Sequence, residues 1–200
     1  VARKLPCLNL ESGWDVDDAY IIGQYVSEGW KQGNRIFISG DDPDLQNLLK
    51  EIFNRKKIKF YESKRRKHAY FEIHDKKYKE LLSQFGSNAL NKNMPAWILS
   101  SNKRFLRMLY LGFVMGDGYF DESENSSRLY GWCTSSKILA EQLFFISYLI
   151  DEPVTIYKSL KHGGFGKNPI WRAEYVPTSS RLKEKKKDVA KISVKKMEDS

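Results

Sequence analysis

The apolar positions of this chain contain two runs that read alike. Residues 19–30 (Ala-Tyr-Ile-Ile-Gly-Gln-Tyr-Val-Ser-Glu-Gly-Trp) and 109–120 (Leu-Tyr-Leu-Gly-Phe-Val-Met-Gly-Asp-Gly-Tyr-Phe) each carry small residues four apart, Gly23 and Ser27 in the first, Gly112 and Gly116 in the second. Each run closes on one acid followed by glycine, Glu28-Gly29 and Asp117-Gly118, the mark of an internal repeat. Small residues at i and i+4 leave a bare stripe along which a second backbone can lie. The pattern predicts two helices packed through Gly23, Ser27, Gly112 and Gly116. The glycine after each acid suits a left-handed C-cap, which ends each helix at its acid.

The segments around the runs repeat as well. An irregular leader, 1–18, carries Pro6, Gly13 and the acids Asp15, Asp17 and Asp18, of which Asp17 or Asp18 is placed to cap the first helix. After Gly29, residues 31–34 read as a turn and Arg35–Ser39 alternates as a strand. Asp41-Asp42-Pro43 opens a helix with Leu45, Leu48, Leu49, Ile52 and Phe53 at helical spacing. Strands at 59–63 and 69–73 flank a basic turn, and a helix over 75–85 closes the unit. Gly86, Asn91, Asn93 and Pro95 mark a linker.

In the second unit, strands at 119–120 and 129–133 surround an acidic, serine-rich loop. Ser135 or Ser136 caps a helix carrying Ile138, Leu139, Leu143, Phe144 and Leu149, and 154–157 with 170–175 make a second hairpin. The expected fold is α+β, two pseudo-symmetric αββαββα halves (19–86 and 102–177) joined by a linker (87–101). A basic, mostly charged tail, 178–200, reads as a solvated segment or as a lead into a further domain.

Composition narrows the partner. With 41% hydrophobic residues, 200 residues can bury a substantial core, and a net charge of +9 from 34 Lys and Arg points to a polyanion. No run is long enough to cross a bilayer and no apolar signal core opens the chain, so the expected location is intracellular, cytoplasmic or nucleoid-associated. Cys7 and Cys133 are far apart and read as ordinary thiols of a reducing compartment. His68, His74 and His162 share no metal-ligand spacing.

The acids carry the chemistry. If the two helices run parallel, Glu28 and Asp117 meet at two helix carboxyl ends, where the dipoles are also negative, and they repel unless a cation sits between them. Oxygen ligands without a local histidine or cysteine pair point to Mg²⁺ rather than Zn²⁺.

At these residues the chain resembles the LAGLIDADG homing endonucleases in the single-chain, two-motif form carried by inteins and introns. Ile21–Gly29 and Tyr110–Gly118 fill the nine motif positions. The second is a close match; the first is looser, with polar Gln24 and Ser27. The resemblance implies a central parallel helix pair under a β-sheet saddle that grips DNA. It implies a monomeric, sequence-specific endonuclease that cuts both strands of a long, mostly asymmetric target, leaves short 3′ overhangs and promotes intein or intron mobility.

Two or three Mg²⁺ ions shared by Glu28 and Asp117 are implied, with Mn²⁺ as a substitute and main-chain carbonyls of Ser27 and Gly116 completing the shell. An auxiliary base is expected on the last strands, Arg172 or Lys158. The first half offers no lysine within Phe71–His74, which makes the two sites uneven. Two-stranded ribbons fit the major groove, and Lys31, Arg35, Lys64, Arg65, Arg66, Lys67, His68, Arg128, Lys161 and Lys167 are the expected DNA contacts. The competing reading is an RNA-binding intron maturase or an inactive DNA-binding module on the same scaffold. No splicing residues are evident, so a splicing domain, if any, belongs to a longer precursor.

Overall fold

The computed structural model describes residues 13–40, 42–65, 68–123, 126–159 and 169–175, with side chains except those of 64, 65, 68, 120–123 and 126–129. Two units of the same order follow one another. The first runs α1 (Val16–Glu28), β1 (Gly29–Gln32), β2 (Arg35–Gly40), α2 (Pro43–Arg55), β3 (Phe60–Arg65), β4 (His68–Ile73) and α3 (Lys76–Leu82), with a 3₁₀ turn over Ser83–Phe85. A short helix, α4 (Ala96–Leu99), precedes α5 (Lys103–Asp117), β5 (Gly118–Ser123), β6 (Ser126–Thr134), α6 (Lys137–Leu149), β7 (Val154–Ser159) and β8 (Ile170–Tyr175). The antiparallel sheets have the same strand order, β1-β2-β4-β3 and β5-β6-β8-β7. The fold is α+β with two four-stranded sheets, as the periodicities predict. The helix expected to close the second half falls outside the described residues, as does the tail.

Alternation decides which face of each sheet meets the helices. Ile36, Ile38, Phe71 and Ile73 are fully buried beneath α1 and α2, and Trp132, Ala173 and Val154 take that role in the second half. One continuous core runs through both halves with α1 and α5 at its centre. No helix among the described residues is long and apolar enough to cross a membrane.

Three local expectations are corrected. Asp15, rather than Asp17 or Asp18, caps α1: its carboxylate accepts from the Asp18 amide at 3.1 Å while the Asp18 carboxylate accepts from the Asp15 amide at 2.9 Å, a reciprocal box. Lys31 and Gln32 belong to β1, so the turn shrinks to Gly33-Asn34, with Gly33 at φ +58° as a tight hairpin requires.

The glycines after the acids are not left-handed. Gly29 (φ −94°, ψ 158°) and Gly118 (φ −77°, ψ 147°) are extended, because each helix passes straight into a strand. Gly29 is needed for space instead: a Cβ there would stand 2.5 Å from the Tyr25 carbonyl oxygen.

Candidate active site

The site is built from the contact between α1 and α5. A Cβ on Gly23 would lie 2.7 Å from the Phe113 nitrogen, and one on Gly112 would lie 2.6 Å from the Tyr20 oxygen. One turn further on, a Cβ on Gly116 would lie 2.8 Å from the Ser27 Cβ and 2.9 Å from the Glu28 Cγ. Gly23 faces Gly112 and Ser27 faces Gly116, so the helices run parallel and meet backbone to backbone.

Gln24, the polar departure in the first motif, donates from Nε2 to the Gly112 carbonyl at 2.7 Å inside this contact. Ser27 turns its hydroxyl back to the Gly23 and Gln24 carbonyls, both at 3.2 Å, leaving only its main chain for a ligand role.

Both acids therefore sit at adjoining helix ends. The Glu28 stem lies over the last turn of α5, and its carboxylate Oε2 is 3.4 Å from the Ser39 hydroxyl, which also donates to the Glu28 carbonyl at 3.2 Å. Asp117 lines a cavity with Ser27, Lys92, Cys133 and Ile170. Burial pushes its carboxyl well above the usual carboxylate range, the charge of Glu28 pushes the same way, and Lys92 pulls it down. The charged form of Asp117 is disfavoured beside Glu28, and a cation bound between the two acids would favour it.

The donor set fits a hard divalent ion. Its side-chain ligands are two carboxylates, and the final carbonyls of a helix have no acceptor role within it. Among the described residues no cluster of three His, Cys, Asp or Glu exists. Burial raises the Cys133 thiol pKa, the charge of Asp117 pushes the same way, and Arg172 pulls it down. Two carboxylates with room for water and phosphate oxygens suit Mg²⁺.

The structure adds a residue that sequence reasoning missed. Lys92, in the linker, is 1% exposed; its Nζ donates to the Tyr25 carbonyl at 2.6 Å and stands 3.4 Å from the centre of the Tyr25 ring. Burial lowers its pKa to about 7, with Asp117 opposing the shift. Three further bonds seat the linker: Tyr25 Oη to the Gly86 carbonyl at 2.7 Å, the Lys31 amide to the Ser87 carbonyl at 2.9 Å, and Ser136 Oγ to the Lys92 carbonyl at 2.6 Å.

The two halves surround their acids differently. Gly29 pairs with Ile38 and Gly118 with Trp132, so the next residues, Ser39 and Cys133, correspond; so do their partners, Tyr70 and Arg172. Arg172 thus stands beside Cys133, which lines the cavity. Lys158 does not reach it: it lies on the edge strand β7 opposite Trp171, on the helix side of the sheet and two strands away from β6.

Of the expected DNA contacts, Arg35 is on the open face of the first sheet. Lys31 pairs with buried Ile36, which sets it on the helix side instead. Lys64, Arg65 and His68 lie at the free end of the β3–β4 ribbon and Arg128 on β6. Arg66, Lys67, Lys161 and Lys167 fall outside the described residues.

Likeness to solved structures identifies the fold as the LAGLIDADG fold. The homing endonuclease I-DmoI in complex with DNA and Mn aligns with TM-score 0.55 at 17% identity, over 81% of this chain and 91% of that one. A set of mesophilic variants of I-DmoI gives 0.56 at 14% identity over 92% and 96%. The N-terminal LAGLIDADG domain of DUF199/WhiA aligns at 0.51 with 7% identity over 83% and 80%.

In sequence, the chain is 28% identical over 167 residues to the ATP-dependent DNA helicase Hel308 of Thermococcus kodakarensis, covering 78% of this chain and 15% of the helicase. It is 28% identical over 109 residues to the DNA-directed RNA polymerase subunit Rpo1C of Methanocaldococcus jannaschii, covering 52% and 13%. The chain therefore matches only a small part of either relative. No family model matches the chain.

Proposed function

We propose that this chain is a site-specific endonuclease that cuts both strands of duplex DNA with a divalent metal, and that Glu28 and Asp117 are the metal-holding acids. The observation that carries it is the backbone-to-backbone contact of α1 and α5, which fixes the two carboxylates at one place. Glu28 and Asp117 would hold two or three Mg²⁺ or Mn²⁺ ions, with the main-chain carbonyls of Ser27 and Gly116. When bound, such ions polarise a phosphate oxygen and lower the pKa of an attacking water.

Lys92 is the group that takes a proton beside Asp117, since an amine with a pKa near neutrality is matched to that task. On the Glu28 side, Ser39 and Tyr70 occupy the places that Cys133 and Arg172 hold beside Asp117. The two strands are then cut at unequal rates. The basic residues Lys64, Arg65, Arg66, Lys67, His68, Arg128, Lys161 and Lys167 are the proposed phosphate contacts.

Two relatives with unrelated work, each matched over a small share of its length, support a segment that moves between host genes as an intein or intron product. I-DmoI bound to DNA and Mn on the same fold supports DNA as the partner and a divalent metal as the cofactor; short 3′ overhangs are the product proposed. The second reading is an inactive DNA-binding module on the same scaffold, a fold that DUF199/WhiA also carries. Incubating the chain with a randomised duplex library in Mg²⁺ and in Ca²⁺, then sequencing ends, separates the two. Discrete staggered cuts in Mg²⁺ support the endonuclease; enrichment of bound duplexes without cutting in either ion supports the binding module.

A further inference from the structure

The open face of the first sheet carries a second, smaller apolar cluster. Phe37 is only 4% exposed yet lies outside the main core, on the face turned away from the helices. Trp30 stacks on it with ring centres 4.9 Å apart and planes 13° apart, and Tyr70 meets both edge-on at 6.1 and 5.8 Å. Tyr61, one strand over, is 61% exposed. Trp30 is two residues past Glu28, so this cluster borders the acids.

The cation beside it is occupied. Arg35 lies 4.9 Å from the centre of the Phe37 ring and is held in a fork by Glu72, from Nε at 2.9 Å and Nη2 at 2.5 Å. Two of the donors with which arginine reads a guanine edge are engaged by a carboxylate.

Among the described side chains, the second sheet offers no counterpart. Tyr119, in the place of Trp30, lies across Gly131, where a Cβ would meet its hydroxyl at 2.6 Å, and donates to the Ala173 carbonyl at 2.9 Å. Tyr157 is bonded to Glu174 at 2.5 Å, and Arg172 replaces Tyr70. Among the described side chains, the first open face carries a packed ring cluster and the second carries hydrogen-bonded tyrosines beside Arg172.

Resting on the DNA-cutting reading above, we propose that the first half selects thymine at the base pairs nearest the cut, through apolar contact of Trp30 and Tyr70 with the C5-methyl group. That methyl is the apolar mark by which the major groove distinguishes thymine, and the faces and edges of a packed ring cluster meet it by apolar contact. Specificity is then divided: methyl contact on the Glu28 side, hydrogen bonding on the Asp117 side.

Deoxyuridine removes the methyl and leaves every hydrogen-bonding group in place. Binding of the cut-site duplex is measured in Ca²⁺ with each thymine in turn replaced by deoxyuridine, for the native chain and for Trp30→Ala. The expected result is weakening of about fourfold per contacted methyl, the factor for burying one such group, in one half-site only, and loss of that sensitivity in Trp30→Ala. Deoxyuridine tolerated throughout, sensitivity in both half-sites, or sensitivity unchanged in Trp30→Ala overturns the proposal while leaving the endonuclease reading intact. Should Trp30→Ala fail to fold, the one-sided pattern on the native chain still decides. Absence of binding to any duplex overturns both.

Discussion

Lys92 owes its low pKa to where the linker sets it. Its stem crosses the Tyr25 ring and its ammonium meets the carbonyl one turn before Glu28, so it reaches the cavity beside Asp117 without water to hold its charge. Its neutral form prevails above about pH 7 and its charged form below. If Lys92 accepts a proton in the reaction, the single-turnover cleavage rate rises as pH increases through that value and then levels.

Lys92→Met keeps the length of the side chain and removes the amine. We expect cleavage to fall on the order of 100-fold, the inflection to disappear, and DNA binding to stay within a few-fold; an unchanged inflection would show that another group sets it. The acids were readable in the sequence because a small-residue stripe ends on them twice. Lys92 was not: a lysine between two asparagines in a nonperiodic stretch looks solvated, and its burial depends on α1, α6 and the linker closing around it.

The helices owe their contact to glycine, and the contact sets how far apart the acids stand. Gly112→Ala would place a methyl 2.6 Å from the Tyr20 carbonyl, with neither backbone able to give way. We expect a loss of about 2 kcal/mol or more in chemical denaturation, together with reduced cleavage by the fraction that remains folded. Stability equal to the native chain would mean that the helices are further apart.

This contact was legible because the i, i+4 glycines have no other economical use, and the strands were legible from alternation in Arg35–Ser39 and Ile170–Tyr175. The immediate passage from helix to strand was not. An acid-glycine pair after an apolar run has the appearance of a left-handed cap, and only the crowding of Gly29 against Tyr25 shows that its hydrogen is there for room. Lys57 and Asp151, at φ 55° and 63°, take the left-handed turns after α2 and α6 instead, where neither residue type announces it.

At the scale of the molecule, two sheets of one topology flank a single helix pair that brings two acids together. The chain's net charge of +9 favours a polyanionic partner, and on the proposed reading cations stand between the acids and its phosphates. The halves match in backbone and differ in the side chains beside each acid, a difference that required strand register and so lay beyond the sequence. The decisive measurement is single-turnover cleavage of the identified target in Mg²⁺ by the native chain and by a Glu28→Gln/Asp117→Asn double variant, with binding of both measured in Ca²⁺. Loss of cutting on both strands with affinity kept within a few-fold is the predicted result. Cutting by the double variant at the native rate would contradict a metal centre built on these two acids.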